Sequence, residues 1–327
     1  MKFVSAVLFS AAAAVALGAP NHSIKGSQLQ SNASGPGCGE DSNRLLQTAP
    51  TKYVSVNGTK MAYRRLGKRA SAPPLLFITH FRGSMDVLDP ELINAIAKNR
   101  EVIIYDNTGV GHSEGTVPDS IEAMAQSTLN LLAEINVPKV DILGFSMGGM
   151  VAQYIGMEHH DMANKLIFAG IRPGYGPGVV QTPPDAASGP GGEPDRQPTE
   201  VYNLGIFFYP SETSRTAGDD WWHRIYERQI AGEERKDFLV GQGVAAQLTA
   251  ITAFASDPQM YARLANITAP VLVTSGHDDL LMGTANSFVL QQNLPDARLH
   301  IYPDSAHGHL FQFPLAYARE LELFLRE

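Results

Sequence analysis

The segment KVDILGFSMGG, Lys139–Gly149, joins an apolar run to a helical pattern through a serine that lies between glycines. The apolar run predicts a short buried strand, and apolar residues at helical spacing begin directly after the last glycine. A strand therefore has to turn sharply into a helix at Ser146. Gly144 and Gly148 complete the pattern G-x-S-x-G and allow the backbone to make this strained turn.

Apolar strands alternate with helical patterns along most of the chain. After a hairpin that turns at Asn57-Gly58, strands are predicted at PLLFITH, EVIIYD, VDILGFS, KLIFAG, PVLVTSG and RLHIYPD. Such alternation is typical of parallel strands that are connected by helices. It predicts an α/β fold with a mostly parallel central sheet flanked by helices.

The alternation is interrupted once, after the sixth predicted strand. A segment rich in Pro and Gly follows Gly170, and helices are then predicted near residues 200–208, 219–231 and 241–256. We interpret this part as a helical lid. Residues 19–51 lack apolar periodicity, so we expect this leader to be flexible and dispensable for folding and catalysis. The predicted organisation is a signal peptide at 1–18, a leader at 19–51, a core at 52–170 and 257–327, and a helical lid insertion at 171–256.

The N-terminus has the pattern of a secretory signal peptide. Lys2 precedes an apolar stretch that ends in small residues and is too short to serve as a membrane anchor. We therefore expect cleavage near Gly18 and a secreted protein, with the lumen of the secretory pathway as the alternative location. Cys38 is the only cysteine, so no disulfide can form within the chain. Asn-x-Ser/Thr triplets predict glycosylation at Asn21, Asn32, Asn57 and Asn266.

Charge limits the kinds of partner that the chain can bind. The net charge is −8, and the basic residues form no long run. Neither nucleic acid nor an anionic membrane surface is therefore an expected partner. We expect a small apolar molecule instead, and the sequence does not predict an oligomeric state.

Two further segments supply the groups that a nucleophilic serine needs, namely a base that takes its proton and a carboxylate that orients the base. Asp278 and Asp279 follow one predicted strand, and His307 and His309 follow the last one. Because ligands sit at the carboxyl ends of parallel strands, we expect these side chains to approach Ser146. A metal site built from His277, Asp278, His307 and His309 would lack a helical pair of ligands, and we expect none.

The order Ser, Asp, His along the chain resembles that of the α/β-hydrolase-fold family, from about residue 52 to the C-terminus. DNTGVGHS, Asp106–Ser113, is similar to the turn D-x-x-G-x-G-x-S, in which the aspartate and the serine brace the loop. The segment GHDD resembles the family pattern G-x-x-D, which implies Asp279 as the acid, with Asp278 in reserve.

The same resemblance implies a base and an oxyanion hole. The family's base lies in a Gly/Ser-His loop after the final strand, which implies His307. The triad would then be Ser146, Asp279 and His307, and no cofactor is needed. The oxyanion would be bound by the backbone amide of Met147 and by a second amide from the segment ITHFRGS, in which a phenylalanine occupies the usual glycine position. Phe81 and Arg82 are the candidates for this second amide, and we favour Phe81.

Three side chains are candidates for contact with the substrate. The guanidinium of Arg82 can hold a substrate carboxylate or carbonyl, or it can pair with Asp86 or Asp89. Trp221 and Trp222 lie in the predicted lid and can line an apolar pocket, or they can form the core of the lid.

The expected activity is that of a serine hydrolase that cleaves an ester or lactone of a small apolar molecule through an acyl-enzyme on Ser146. The same triad suits cofactor-free perhydrolysis, hydrolysis of a C–C bond, or the tailoring of a secondary metabolite. A catalytically silent binding protein with this fold is the alternative of another class, because fold alone does not fix function.

Overall fold

The computed structural model describes residues 44–69, 71–181 and 191–327 of the chain. The predicted signal peptide, Cys38, Asn21 and Asn32 lie outside the described residues. Asn57 and Asn266 are exposed, and both remain predicted glycosylation sites. Within the described residues, no helix is both long enough and apolar enough to span a membrane.

An eight-stranded sheet forms the centre of the described part of the chain. Its strands are β1 (Lys52–Val56), β2 (Thr59–Leu66), β3 (Leu75–Ile78), β4 (Val102–Tyr105), β5 (Val140–Phe145), β6 (Ala163–Ala169), β7 (Val271–Gly276) and β8 (Ala297–Tyr302). They lie side by side in the order β1-β2-β4-β3-β5-β6-β7-β8. Strand β2 is antiparallel to both of its neighbours, and all other pairs are parallel. The predicted α/β fold is confirmed.

Helices follow most of the parallel strands. The described α-helices are α1 (Leu45–Thr48), which precedes β1, and α2 (Pro90–Ala97), α3 (Ile121–Glu134), α4 (Met147–Glu158), α5 (Glu200–Phe207), α6 (Glu212–Arg224), α7 (Gln242–Ser256), α8 (Pro258–Ala262), α9 (Thr284–Asn293), α10 (His309–Gln312) and α11 (Pro314–Arg326). Residues 171–256, here called the insertion, follow the sixth strand and contain α5 to α7. Helix α6 begins earlier than the predicted 219–231, because the Ser211 side chain accepts a hydrogen bond from the Ser214 amide at its start.

The alternating side chains of the central strands supply two apolar cores, one on each face of the sheet. In β3, Leu75 and Phe77 pack into one core, and Leu76 and Ile78 pack into the other. Helices α3 and α4 contribute to the Leu76 core, whereas α2 and α11 contribute to the Leu75 core. A strand that is buried on both faces reads as a continuous apolar run, which is why these strands were predictable.

The turn after β4 carries the bracing contacts that the family resemblance implies. The carboxylate of Asp106 accepts hydrogen bonds from the amides of Met85 at 2.7 Å and His112 at 2.8 Å. The Ser113 hydroxyl donates to the carbonyl of Asp106 at 2.6 Å and accepts from the amide of Ala62 at 2.9 Å. These contacts hold the loop in place, and neither side chain lines the site described below.

The last residues of the predicted leader belong to the fold, which corrects the expected boundary at residue 51. The side chain of Leu46 is only 2% exposed and packs in the Leu75 core. Its amide donates to Oδ1 of Asn94 in α2 at 2.8 Å, and Nδ2 of Asn94 donates to Oε1 of Gln47 at 2.9 Å. This contact could not be predicted from the sequence, because α1 has a single turn and is too short to show any apolar periodicity.

We predict that Leu46→Ala lowers the free energy of unfolding by about 2–5 kcal/mol, the usual cost of emptying a buried leucine site. Urea denaturation measures this change. The matched control is Leu323→Ala, because that side chain is 63% exposed and should cost less than about 0.5 kcal/mol. A chain that begins at Ala49 should lose the same contacts. Equal stability of the two leucine variants would contradict the docking of α1.

Candidate active site

Ser146 lies at the turn between β5 and α4, with φ 55° and ψ −123°. This left-handed conformation is strained for a residue with a side chain and persists only where the surroundings fix it. A Cβ on Gly148 would lie 2.1 Å from the carbonyl oxygen of Ile78, and one on Gly144 would lie 2.5 Å from the carbonyl oxygen of Gly148. Both glycines of the pattern are therefore required by close packing around the turn.

Two backbone amides beside this turn donate to no acceptor in the described part of the chain. Met147 opens α4, so its N–H group has no partner within the helix. Phe81 follows β3, and its N–H group is likewise without an acceptor. The amide of Arg82, in contrast, donates to Oε1 of Gln247 at 2.8 Å. Of the two candidates for the second amide, only Phe81 therefore has an N–H group available to a ligand.

Asp279 and His307 meet beyond the ends of β7 and β8. Oδ2 of Asp279 lies 2.8 Å from Nδ1 of His307, and both side chains are buried. Oδ1 accepts the amides of Leu281 and Met282, each at 3.0 Å. Burial opposes ionisation of Asp279, but the charge and hydrogen bond of His307 and the amide contact outweigh it, so its pKa lies below the ordinary value. The alternative acid, Asp278, does not contact the imidazole.

The contact with Asp279 fixes the proton on Nδ1 of His307, because a carboxylate accepts and does not donate. The lone pair of the neutral ring is then on Nε2, which is buried and has no partner among the described residues. His309 differs, since its Nδ1 contacts the His307 carbonyl at 3.1 Å and its Nε2 contacts Oγ1 of Thr274 at 3.0 Å. Burial lowers the pKa of His309 to about 3, and the ring is fully engaged in the fold.

Ser146 and His307 line one cavity of about 40 Å³ at the carboxyl edge of the sheet. The two side chains form no hydrogen bond with each other in the described structure, as is common before a substrate binds. The insertion forms one wall and the core forms the other. The lining residues are His80, Phe81, Arg82, Ser146, Leu281 and His307 from the core, and Pro198, Tyr202, Asn203, Ile206, Phe207 and Phe238 from the insertion.

The guanidinium of Arg82 binds the insertion, which corrects its predicted role in holding a substrate. Nε donates to the carbonyl of Leu239 at 2.8 Å, Nη1 donates to that of Gly192 at 3.1 Å, and Nη2 donates to that of Arg196. The side chain is only 3% exposed. Pairing with a carboxylate of the next helix is also absent from the described contacts, because those carboxylates bind other arginines.

A second polar network joins the insertion to the core. The Asp86 carboxylate contacts Nη2 of Arg64 at 2.5 Å, Nη1 of Arg228 at 3.2 Å and Nε2 of His112 at 2.7 Å. Glu233 of the insertion contacts the same two arginines at 3.1 and 2.7 Å. The carboxylates and the imidazole lie close enough to share a cation. The guanidinium groups already occupy both acids, however, so we interpret the cluster as an ion-pair network.

Glu233 gives this network a testable dependence on pH. Burial opposes its ionisation, but hydrogen bonds from Arg228 and Thr51 and the arginine charges outweigh burial and lower its pKa to about 2. Because the folded pKa lies below the ordinary value, the stabilisation is complete above about pH 4.5 and is lost as the pH falls towards 2.

We predict that Glu233→Gln lowers the free energy of unfolding by about 2 kcal/mol at pH 7, because the pair is partly screened by solvent. The difference from wild type should narrow as the pH falls from about 4.5 to about 2. Thermal unfolding across this range measures it. The neighbouring exposed Glu234 offers the control, and Glu234→Gln should leave the stability close to that of wild type at every pH. A deficit that is independent of pH would exclude the ionised pair as its cause.

The tryptophans do not line the cavity, which corrects their predicted contact with the substrate. Trp221 is fully buried and stacks on Phe311 at a centroid distance of 5.5 Å. Trp222 stacks on the ring of Phe238 at 6.3 Å. Both tryptophans therefore pack against other aromatic rings outside the cavity lining and help to hold the insertion in place. The partner of Trp222, Phe238, lies in an irregular segment that shows no sequence pattern. The sequence therefore could not show whether the tryptophans face the core or the cavity.

The fold and the site together define a hydrolase of the α/β-hydrolase-fold class. The family model for the alpha/beta hydrolase fold matches residues 73–314, and the chain belongs to this family.

Known proteins resemble the chain over most of its length. An "Alpha/beta hydrolase fold protein from Chitinophaga pinensis" has 36% sequence identity and a TM-score of 0.75, covering 86% of this chain and 98% of that one. A protein of Rhizobium rhizogenes (strain K84) named "Putative carbamate hydrolase RutD" is 27% identical over 268 residues, 79% of this chain and 94% of its own length. The enol-lactonase from Burkholderia xenovorans LB400 has 20% identity and a TM-score of 0.66, covering 84% of this chain and all of that one, and it shows the shared fold.

Proposed function

We propose that this hydrolase cleaves an ester or lactone of a small apolar molecule through an acyl-enzyme on Ser146. The observation that carries the proposal is the Asp279–His307 pair, at 2.8 Å, beside a cavity that the strained Ser146 also lines. The aromatic lining and the small volume, about 40 Å³, favour a compact and largely apolar acyl group.

In the first half of the reaction, Nε2 of His307 takes the proton of the Ser146 hydroxyl while Oγ attacks the scissile carbonyl carbon. Asp279 keeps the imidazole in the required tautomer and stabilises the imidazolium. The oxyanion lies against the amides of Met147 and Phe81, donors that are each worth about 2.7–4 kcal/mol in the transition state. The C–O bond then breaks, and the imidazolium gives its proton to the leaving alcohol.

In the second half, His307 takes a proton from water, and the hydroxide attacks the acyl carbon. The tetrahedral intermediate collapses, and the imidazolium returns the proton to the Oγ atom of Ser146. The acid is released, and the free enzyme is regenerated with no change of oxidation state. All of the required groups are on this chain.

A carbamate is the second candidate substrate. The Rhizobium rhizogenes relative carries the name of a carbamate hydrolase. A carbamate differs from an ester in having nitrogen on the carbonyl carbon, and the same two steps cleave it. Nitrogen donation makes the carbonyl carbon less electrophilic, and carbamoyl-Ser146 would accumulate if its hydrolysis were slower than its formation.

We predict that Ser146→Ala abolishes labelling by a fluorophosphonate probe, because the probe reacts only with an activated serine. Mass spectrometry of the labelled peptide identifies the site. Activity should disappear from a panel of nitrophenyl esters, lactones and carbamates. The melting temperature should stay close to that of wild type, since only one hydroxyl is removed. Labelling that survives the substitution would place the nucleophile elsewhere.

We also predict that Asp279→Asn lowers turnover by about 10⁴, as loss of the orienting acid does in a serine triad. The adjacent Asp278 provides a matched control, because its side chain does not contact His307. Asp278→Asn should reduce turnover by less than about threefold, within the range of ordinary surface changes. The comparison uses kcat on the best ester of the panel. Similar losses in both variants would contradict the assigned acid.

A further inference from the structure

The backbone amide of Phe81, the proposed second donor to the oxyanion, lies in a four-residue turn that runs from His80 to Gly83. The amide of Gly83 closes this turn by donating to the carbonyl of His80 at 3.0 Å. That carbonyl and the Phe81 amide belong to one planar peptide unit. The hydrogen bond from Gly83 therefore fixes the plane that contains the Phe81 N–H group, and Phe81 lines the same cavity as Ser146.

The third residue of this turn, Arg82, has an unfavourable backbone conformation. Its φ is 65°, whereas the φ of Phe81 is not positive, and this combination makes the turn type II. Glycine or asparagine is usual at this position, because most side chains strain a left-handed backbone. Rotation of the central peptide unit, which joins Phe81 to Arg82, would relieve the strain and give a type I turn. The observed turn therefore depends on contacts that hold the central peptide.

Both polar groups of the central peptide are held. The N–H group of Arg82 donates to Oε1 of Gln247 in α7 at 2.8 Å. The carbonyl of Phe81 lies 2.8 Å from Nδ1 of His80, which is the donor because a carbonyl only accepts. Burial lowers the pKa of His80 to about 4, so the ring is neutral at pH 7. Rotation of the central peptide would break both hydrogen bonds.

Gln247 is a buried polar residue that the proposed reaction does not use. It is only 2% exposed. Together with Thr79 and Met147 it lines a separate cavity of about 20 Å³, and it is not among the residues that line the Ser146 cavity. Any effect of Gln247 on catalysis must therefore pass through the backbone of the turn.

We propose that Gln247 is a positioning residue for the second oxyanion donor. The two peptide units that flank the Cα atom of Phe81 are then both fixed, one by Gly83 and the other by Gln247 and His80. Loss of the Gln247 contact lets the central peptide rotate and loosens the Phe81 amide relative to Ser146. The inference rests on the proposed function, because it takes this amide as a donor to the oxyanion.

The test compares 4-nitrophenyl acetate with its thionoester, in which sulfur, a weak hydrogen-bond acceptor, replaces the carbonyl oxygen. The kcat/KM ratio of ester to thionoester, here called the oxygen preference, reports the oxyanion contacts and does not depend on the fraction of enzyme that is folded. Gln247→Met removes the acceptor oxygen at nearly constant size. It should lower both kcat for the ester and the oxygen preference by about ten- to a hundredfold, somewhat less than deletion of a donor costs. KM should change little, because the contact is made in the transition state.

Two further variants separate positioning from packing. Gln247→Glu keeps an oxygen at the position of Oε1 and should retain more of the oxygen preference than Gln247→Met. The matched control is Gln153→Met, because the Gln153 side chain is also fully buried but donates to the carbonyl of Arg172 at 3.0 Å. Its oxygen preference should equal that of wild type even if its melting temperature is lower.

Fluorophosphonate labelling of Ser146 distinguishes the possible failures. No labelling of wild type would overturn the proposed function. A labelled wild type whose oxygen preference is unchanged in Gln247→Met would overturn this inference and assign Gln247 to the packing of α7 alone. An equal fall in Gln153→Met would also overturn it, because the loss would then not depend on the contact with Arg82.

Discussion

The packing of the surrounding strands and helix holds the backbone of Ser146 in its left-handed conformation. Such a conformation costs on the order of 1–3 kcal/mol. Strand β5 is fixed between β3 and β6, and α4 begins where Gly148 touches the carbonyl of Ile78. Packing in the two apolar cores supplies the opposing free energy. Ser146, the Met147 amide and the end of β3 are therefore positioned by one set of contacts, and a side chain at position 148 would separate them.

The cavity beside this turn contains complementary polar groups in an apolar setting. The amides of Met147 and Phe81 are donors without an acceptor among the described residues, whereas Nε2 of His307 is an acceptor. Aromatic rings of the insertion exclude water from part of the wall, which strengthens each electrostatic contact. These groups suit the proposed acyl transfer, in which the two donors bind the developing oxyanion and the acceptor takes a proton.

The sequence predicts the sheet, the strained turn and the acid–base pair because each of these depends on short-range patterns. The G-x-S-x-G pattern and the residues after β7 and β8 lie where parallel strands end, and topology alone brings them to one edge. Asp279 and Asp278 were distinguished only by a family pattern. The predicted roles of Arg82 and Trp221 were wrong because their partners are distant in the sequence, and no local pattern encodes such contacts. Arg82 binds carbonyls 110 and 157 residues away. Trp221 stacks on Phe311, which lies far along the chain in α10. The docking of α1 escaped prediction for the same reason.

Arg82 shows how the wall of the cavity is coupled to the chemistry. Its guanidinium binds two separate parts of the insertion, and its carbonyl accepts the amide of Leu239 at 2.8 Å. Its own amide is held by Gln247 of α7 at 2.8 Å. Every polar group of this residue is thus bound to the insertion, and the next residue towards the N-terminus is Phe81. The Arg82 amide and the Phe81 carbonyl lie in one planar peptide unit, and the Phe81 amide is joined to that unit through a single Cα atom. A shift of the insertion would therefore move the Phe81 amide relative to Ser146. The element that forms one wall of the cavity therefore also influences the position of the Phe81 amide, the proposed second donor to the oxyanion.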